Sequence, residues 1–148
     1  MVKTTSESRR HTESRIRVRY KETDQMGIAH HSNHIVWFEI GRTDLCREAG
    51  LSYREIEAAG WMLVVVEVGC RYLSPFRYDD EVVIRTSIES AGSRALRFAY
   101  ELCDATGSAS CARGFSSHLW VDARTRRPTT VPKEIWQGFG PFLPPTVR

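Results

Sequence analysis

The sequence predicts an α+β domain in which one antiparallel sheet carries a single long, strongly apolar helix. Three observations lead there. The segment Arg15-Ile16-Arg17-Val18-Arg19-Tyr20-Lys21 alternates strictly between apolar and basic residues, which is the pattern of a half-buried strand. A helical run from Asn33 to Ala49 follows it and is apolar around much of its circumference, so other structure must wrap it. Strand-like segments joined by short turns come next, and short turns make antiparallel neighbours.

Each element has its own signals. In the first strand Ile16, Val18 and Tyr20 are expected to face inward. The segment from Glu22 to Gly27 is read as a turn. Ser32 or Asn33 can cap the long helix, and Gly50 stands where a C′ glycine belongs. Ile35, Phe38, Arg42, Leu45 and Ala49 form its apolar stripe, widened by Val36, Trp37 and Ile40. Gly41 inside this helix costs about 1 kcal/mol against alanine, which points to a close backbone contact. A short helix fits Tyr53 to Ala59, ending at Gly60. Strands are expected over 61–73, 81–89, 94–104 and 109–121, with Leu96, Phe98, Tyr100 and Leu102 turned inward on the third of these. A short amphipathic piece is expected around Lys133–Trp136. One curved five-stranded sheet around a central helix is the hotdog arrangement. Such a sheet leaves edges that a two-fold partner can cover.

At 148 residues the chain is one domain's length, and 41% hydrophobic residues suffice for a real core. Residues 1–13 are polar and lack an apolar segment of the secretory type, so they are read as a flexible tail before a single domain over 14–148. The net charge of +3 is too small for a nucleic-acid binder, and no apolar run is long enough for a membrane span. The middle of the chain is acidic and both ends are basic, the pattern either of solvated faces or of attraction for a small polyanion. Cys46, Cys70, Cys103 and Cys111 form no C-x-x-C pair and are read as reduced core residues of a cytoplasmic protein.

The chemistry concentrates in residues 20–34, between the first strand and the long helix. Asp24 is a short carboxylate on a turn. The first turn of a helix offers unpaired backbone N–H groups and the positive end of the helix dipole. A carboxylate facing such donors suits acyl transfer, with the N–H groups stabilising an oxyanion and the carboxylate acting as nucleophile or general base. Asp24-Gln25-Met26-Gly27 is equally a good type I turn, and the two readings are compatible. His30 and His34 fall one helical turn apart, but no glutamate completes an H-E-x-x-H arrangement, so no metal is expected. Glu39 and Arg42 suit an intrahelical ion pair. Trp37, Phe38 and Trp61 suit either the core or an acyl pocket.

The run Tyr20-x-Glu22-Thr23-Asp24-x-x-Gly27-Ile28-x-x-His31-x-x-His34, followed by Trp37-Phe38-Glu39-x-x-Arg42 and later by Arg71-Tyr72-x-Ser74-Pro75, resembles the signature of the 4-hydroxybenzoyl-CoA thioesterase-like family. These are hotdog-fold acyl-CoA thioesterases, and the resemblance covers about residues 14–122. It implies that Asp24 is the catalytic carboxylate, that Gly27 lets the turn close, and that the backbone N–H of His31 polarises the thioester carbonyl. The family commonly has an aromatic residue where His30 stands and a tyrosine where His34 stands. Substrate contacts are expected from His30, His34, Phe38 and Trp61, and from Arg94 toward the phosphates of CoA. A solvated strand-end arginine remains the alternative for Arg94. The expected activity is hydrolysis of an acyl-CoA, without cofactor, metal, nucleic acid or membrane, in a homodimer or homotetramer. The alternatives are a thioesterase acting on acyl carrier protein and a non-catalytic hotdog dimer that binds acyl-CoA.

Overall fold

The computed structural model describes residues 10–144. Its strands are β1 (Thr12–Arg17), β2 (Trp61–Tyr72), β3 (Glu81–Ala91), β4 (Ala95–Cys103) and β5 (Ser110–Asp122). The helices are α1 (Ser32–Glu48), α2 (Tyr53–Ala58) and α3 (Lys133–Phe139). The strands form one antiparallel sheet in the order β1-β3-β4-β5-β2, with α1 packed on one face, mainly against β1 and β3. This is the hotdog fold that the alternation and the apolar helix predicted.

The inward phases are as expected on the central strands. Leu96, Phe98, Tyr100 and Leu102 are all buried, as are Val82, Ile84 and Ile88 opposite them. Phe38 of α1 stacks on Tyr100 with ring centroids 4.3 Å apart and planes 5° from parallel. The expected close approach at Gly41 occurs where α1 crosses β3. A β-carbon there would overlap the side chains of Thr86 and Ile84, so any larger residue would push the helix off the sheet. The buried face of α1 runs through His34, Trp37, Phe38, Gly41, Leu45 and Cys46, whereas Val36, expected to widen the stripe, is exposed.

The first strand departs from expectation at both ends. It starts at Thr12, so residues 12 and 13 of the expected tail belong to the sheet, while residues 1–9 lie outside the described residues. The hydroxyls of Thr12 and Ser14 point inward and donate to Glu48 Oε2 (3.0 Å) and Asp44 Oδ2 (2.7 Å) of α1. These bonds let polar side chains occupy core-facing positions. The strand ends at Arg17, and Tyr20 opens a 3-10 turn over Tyr20–Glu22, exposed against the edge of Tyr78. Tyr20 therefore does not face inward as the alternation implied.

Beneath α1 runs a buried polar row. The Arg42 Nε–H donates to the Tyr53 hydroxyl (3.2 Å). The Tyr100 and Ser116 hydroxyls bond each other, and Ser116 Oγ lies 2.7 Å from His118 Nε2. Burial, helped by the Arg42 charge, pushes the His118 pKa down to about 4, against a weaker opposing pull from the Leu63 carbonyl. The unfolded chain therefore binds a proton that the native protein refuses between roughly pH 6.5 and 4. Stability contributed by neutral His118 is fully present above about pH 6.5 and is lost as pH falls through that window, by about 3 kcal/mol in all. Urea midpoints measured from pH 7 to pH 4 should fall accordingly. His118→Gln should flatten that slope, and an unchanged slope would remove His118 as its source.

Candidate active site

The site is built by the turn that enters α1. Asp24 Oδ1 accepts the Met26 N–H (2.8 Å), the Asp24 carbonyl accepts the Gly27 N–H (2.9 Å), and the Ile28 carbonyl accepts the Asp24 N–H (2.9 Å). Gly27 sits at φ +77°, a conformation that side chains rarely adopt, which explains a glycine at this point. The expected turn is therefore present, with its carboxylate partly open to solvent. Among the described residues its second oxygen has no protein donor.

Glu22 anchors this turn to the helix. Its carboxylate accepts the Arg19 N–H (2.7 Å), the Arg19 Nε–H (3.2 Å) and the Trp37 indole N–H (3.0 Å). Burial raises its pKa, but these donors outweigh burial and hold it below the ordinary glutamate value. Its carbonyl accepts the His30 N–H (2.8 Å) and Asn33 Nδ2 (2.9 Å). In the sequence Glu22 stands out only as part of the motif. Its signal is a carboxylate in a segment that must be buried.

These bonds fix the peptides at the start of α1. The helix cap is His31, with φ −55°, rather than Ser32 or Asn33, and no side chain caps it. The His30 carbonyl accepts the Asn33 N–H (3.0 Å) and Asn33 Nδ2 (3.3 Å). The next peptide is held at both ends: the Tyr72 hydroxyl donates to the His31 carbonyl (2.8 Å), and the Ser32 N–H donates to His30 Nδ1 (3.3 Å). Burial and the nearby Cys70 raise the Tyr72 pKa, which keeps it a donor. In a trans peptide the N–H points opposite to the C=O. Clamping the His30 carbonyl therefore turns the His31 N–H outward, where it has no acceptor among the described residues.

Asp24, His31, His34 and Tyr72 line one cavity of about 340 Å³, with Met26, Ile28, Ala29, Leu73, Ser74 and Pro75. Asp24 and His31 thus share one cavity, while Gly27 closes the Asp24 turn without lining it. His34 lines the same cavity from below, packed against Trp37, Tyr72 and Phe76. Burial lowers its pKa, partly offset by the carbonyls of His30 and His31. His30 is exposed, its ring tilted by 33° against that of His31 with centroids 4.1 Å apart.

Four expected substrate contacts, His30, Phe38, Trp61 and Arg94, do not line this cavity within the chain. Phe38 is fully buried under the sheet against Tyr100, because its position on α1 turns it away from the helix start. Trp61 begins β2, whereas the cavity lies at the far end of that strand, beyond Tyr72. Arg94 lies exposed in the β3–β4 turn, next to Ala95, which pairs with Leu119 at the Trp61 end of the sheet. Glu39 reaches Arg42 at 4.0 Å and is largely exposed, in keeping with an intrahelical pair. Tyr72 is a polar wall residue without an expected role. Only its place in the motif marks it, because its contact with His31 spans 41 residues of chain.

A five-stranded antiparallel sheet packed on one long helix defines the hotdog class of folds. The comparisons place the chain within it. Residues 18–139 match the thioesterase-like superfamily. The chain is 37% identical to the candidate acyl-CoA thioesterase YneP of Bacillus subtilis over 113 residues, 76% of this chain and 81% of YneP. It is 28% identical to the acyl-CoA thioester hydrolase YbgC of Escherichia coli over 124 residues, 84% of this chain and 92% of YbgC. The crystal structure of the DHNA-CoA thioesterase of Staphylococcus aureus superposes with a TM-score of 0.82 at 25% identity, covering 88% of this chain and 89% of that one. The chain belongs to the thioesterase-like superfamily and is a thioester hydrolase.

Proposed function

We propose that this protein hydrolyses acyl-CoA thioesters to the free acid and CoA, with Asp24 as the reacting carboxylate and the His31 backbone N–H as oxyanion donor. The observation that carries the reading is a single cavity lined by both Asp24 and His31, whose backbone N–H has no acceptor among the described residues. The thioester carbonyl accepts the His31 N–H, and the helix dipole adds to the stabilisation of the developing negative charge. Asp24 either attacks the carbonyl carbon, giving a mixed anhydride that water then opens, or takes the proton from an attacking water. Both routes consume one water and release CoA as its thiol.

An acyl-CoA panel read with a thiol-detecting dye tests the activity. Release of thiol from at least one acyl-CoA, faster than from the matching acyl carrier protein thioester, is the expected result. Preference for the carrier-bound thioester would overturn the CoA reading. Binding of acyl-CoA without thiol release would make the protein a binder. No helix among the described residues is long and apolar enough to cross a membrane.

The same proposal includes a dimer. Strand β2 is an edge of the sheet, and Val64, Val65, Val66 and Val68 are exposed along it. An unpaired, apolar edge strand invites pairing with a second copy. Light scattering at micromolar concentration should give at least twice the 16.9 kDa chain mass. A monomer would remove the dimer.

A further inference from the structure

The peptide between His30 and His31 is held by a side chain that does not line the cavity. Asn33 is half-buried on the first turn of α1, and its Nδ2 donates to two carbonyls at once, that of Glu22 (2.9 Å) and that of His30 (3.3 Å). Both neighbours are acceptors, so only the NH2 end of the amide fits there. The Asn33 backbone N–H donates to the same His30 carbonyl (3.0 Å). Both lone pairs of that oxygen are thereby filled from one residue. The Glu22 carbonyl also accepts the His30 N–H (2.8 Å), and the Glu22 carboxylate is fixed by Arg19 and Trp37. Asn33 thus ties the start of the helix to the buried anchor of the Asp24 turn.

The His30 carbonyl and the His31 N–H are the two ends of one trans peptide and point in opposite directions. Under the thioesterase reading above, on which this step rests, the N–H end meets the thioester oxygen. Rotating the peptide by half a turn would put the His30 oxygen in its place. A substrate oxygen gaining negative charge would then be repelled rather than stabilised. The bond from the Asn33 N–H is a local turn contact, and alone it leaves the carbonyl free to tilt. The bond from the side chain ties the same oxygen to the Glu22 segment and opposes that rotation. We propose that Asn33 is a positioning residue for thioester hydrolysis, whose amide holds the His30–His31 peptide in the orientation that offers the His31 N–H to the substrate. It touches neither substrate nor reacting atoms, so its loss lowers kcat and leaves KM nearly unchanged.

Steady-state kinetics with the best acyl-CoA of the panel test this. Asn33→Ala should lose about 10-fold in kcat, less than the 10²–10³-fold of a donor removed outright, with KM within about 3-fold of wild type. Asn33→Asp keeps the shape and suits a helix N-terminus, but it sets an acceptor against two carbonyls and should lose at least as much. Asn33→Ser, which keeps one donor, should recover part of the rate. In a His31→Pro background no N–H remains to be aimed, so adding Asn33→Ala should change kcat by less than about 2-fold. A kcat near wild type in Asn33→Ala, a loss confined to KM, or the same loss with and without His31→Pro would overturn the proposal and leave the thioesterase reading standing. Unfolding of both Asn33→Ala and Asn33→Asp, seen by circular dichroism, would overturn it by making Asn33 a structural tie alone. A His31→Pro variant as active as wild type would refute the oxyanion donor itself, and the role of Asn33 with it. A wild type inert on the whole panel would refute the underlying function and this proposal together.

Discussion

Asp24→Asn is expected to lose about 10²–10⁴-fold in thioester hydrolysis while remaining folded and still binding acyl-CoA. The structure explains why this substitution separates chemistry from folding. Asp24 Oδ1 accepts the Met26 N–H, and the side-chain oxygen of an asparagine at this position can accept the same bond. The backbone bonds from Gly27 to the Asp24 carbonyl and from Asp24 to the Ile28 carbonyl do not involve the side chain at all. What the amide lacks is the negative charge needed either to attack a carbonyl carbon or to take a proton from water. The measurement is the single-turnover rate with the acyl-CoA found best in the panel, beside a binding isotherm and a circular dichroism spectrum for the same variant. Turnover near wild type would falsify the assignment. Lost binding together with lost structure would place Asp24 in the turn alone.

The sheet and its central helix were legible because burial writes itself into the sequence as a period. On β4 every second residue from Leu96 to Leu102 is buried, and the sequence shows that alternation directly. The same rule misled at β1. There the inward positions begin with Thr12 and Ser14, whose hydroxyls are satisfied by carboxylates on α1, so the pattern looked like a polar tail. At Tyr20 the alternation continues in the sequence after the strand has ended, because Glu22 turns the chain to reach Trp37. Asp24 and Gly27 were legible because a turn demands them. Trp61, Phe38 and Arg94 were placed at the site by family likeness and aromatic character. Whether a side chain reaches the cavity depends on which end of a long strand or which face of α1 it occupies, and that is set by pairing between distant residues such as Trp61 and Asp122. Tyr72 stayed without a role for the same reason.

His31→Pro should lose about 10²–10³-fold in turnover, whereas His31→Ala should lose only a few-fold. The group proposed to hold the oxyanion is the backbone N–H of His31, which every residue except proline supplies. His31 caps α1 at φ −55°, close to the value that the proline ring imposes, so the ring fits the backbone already present. That N–H has no acceptor among the described residues, so its removal breaks no bond of the folded protein. The Tyr72 hydroxyl donates to the His31 carbonyl, which both variants keep. The imidazole itself is exposed and packs on His30 and on the edge of Tyr72, contacts that alanine gives up at little cost. Both variants should therefore fold, which thermal melts by circular dichroism can verify, and they differ only in the donor. A His31→Ala variant as inactive as His31→Pro would give the chemistry to the imidazole. The proton transfer now assigned to Asp24 would then be shared with a ring that stands over the same cavity.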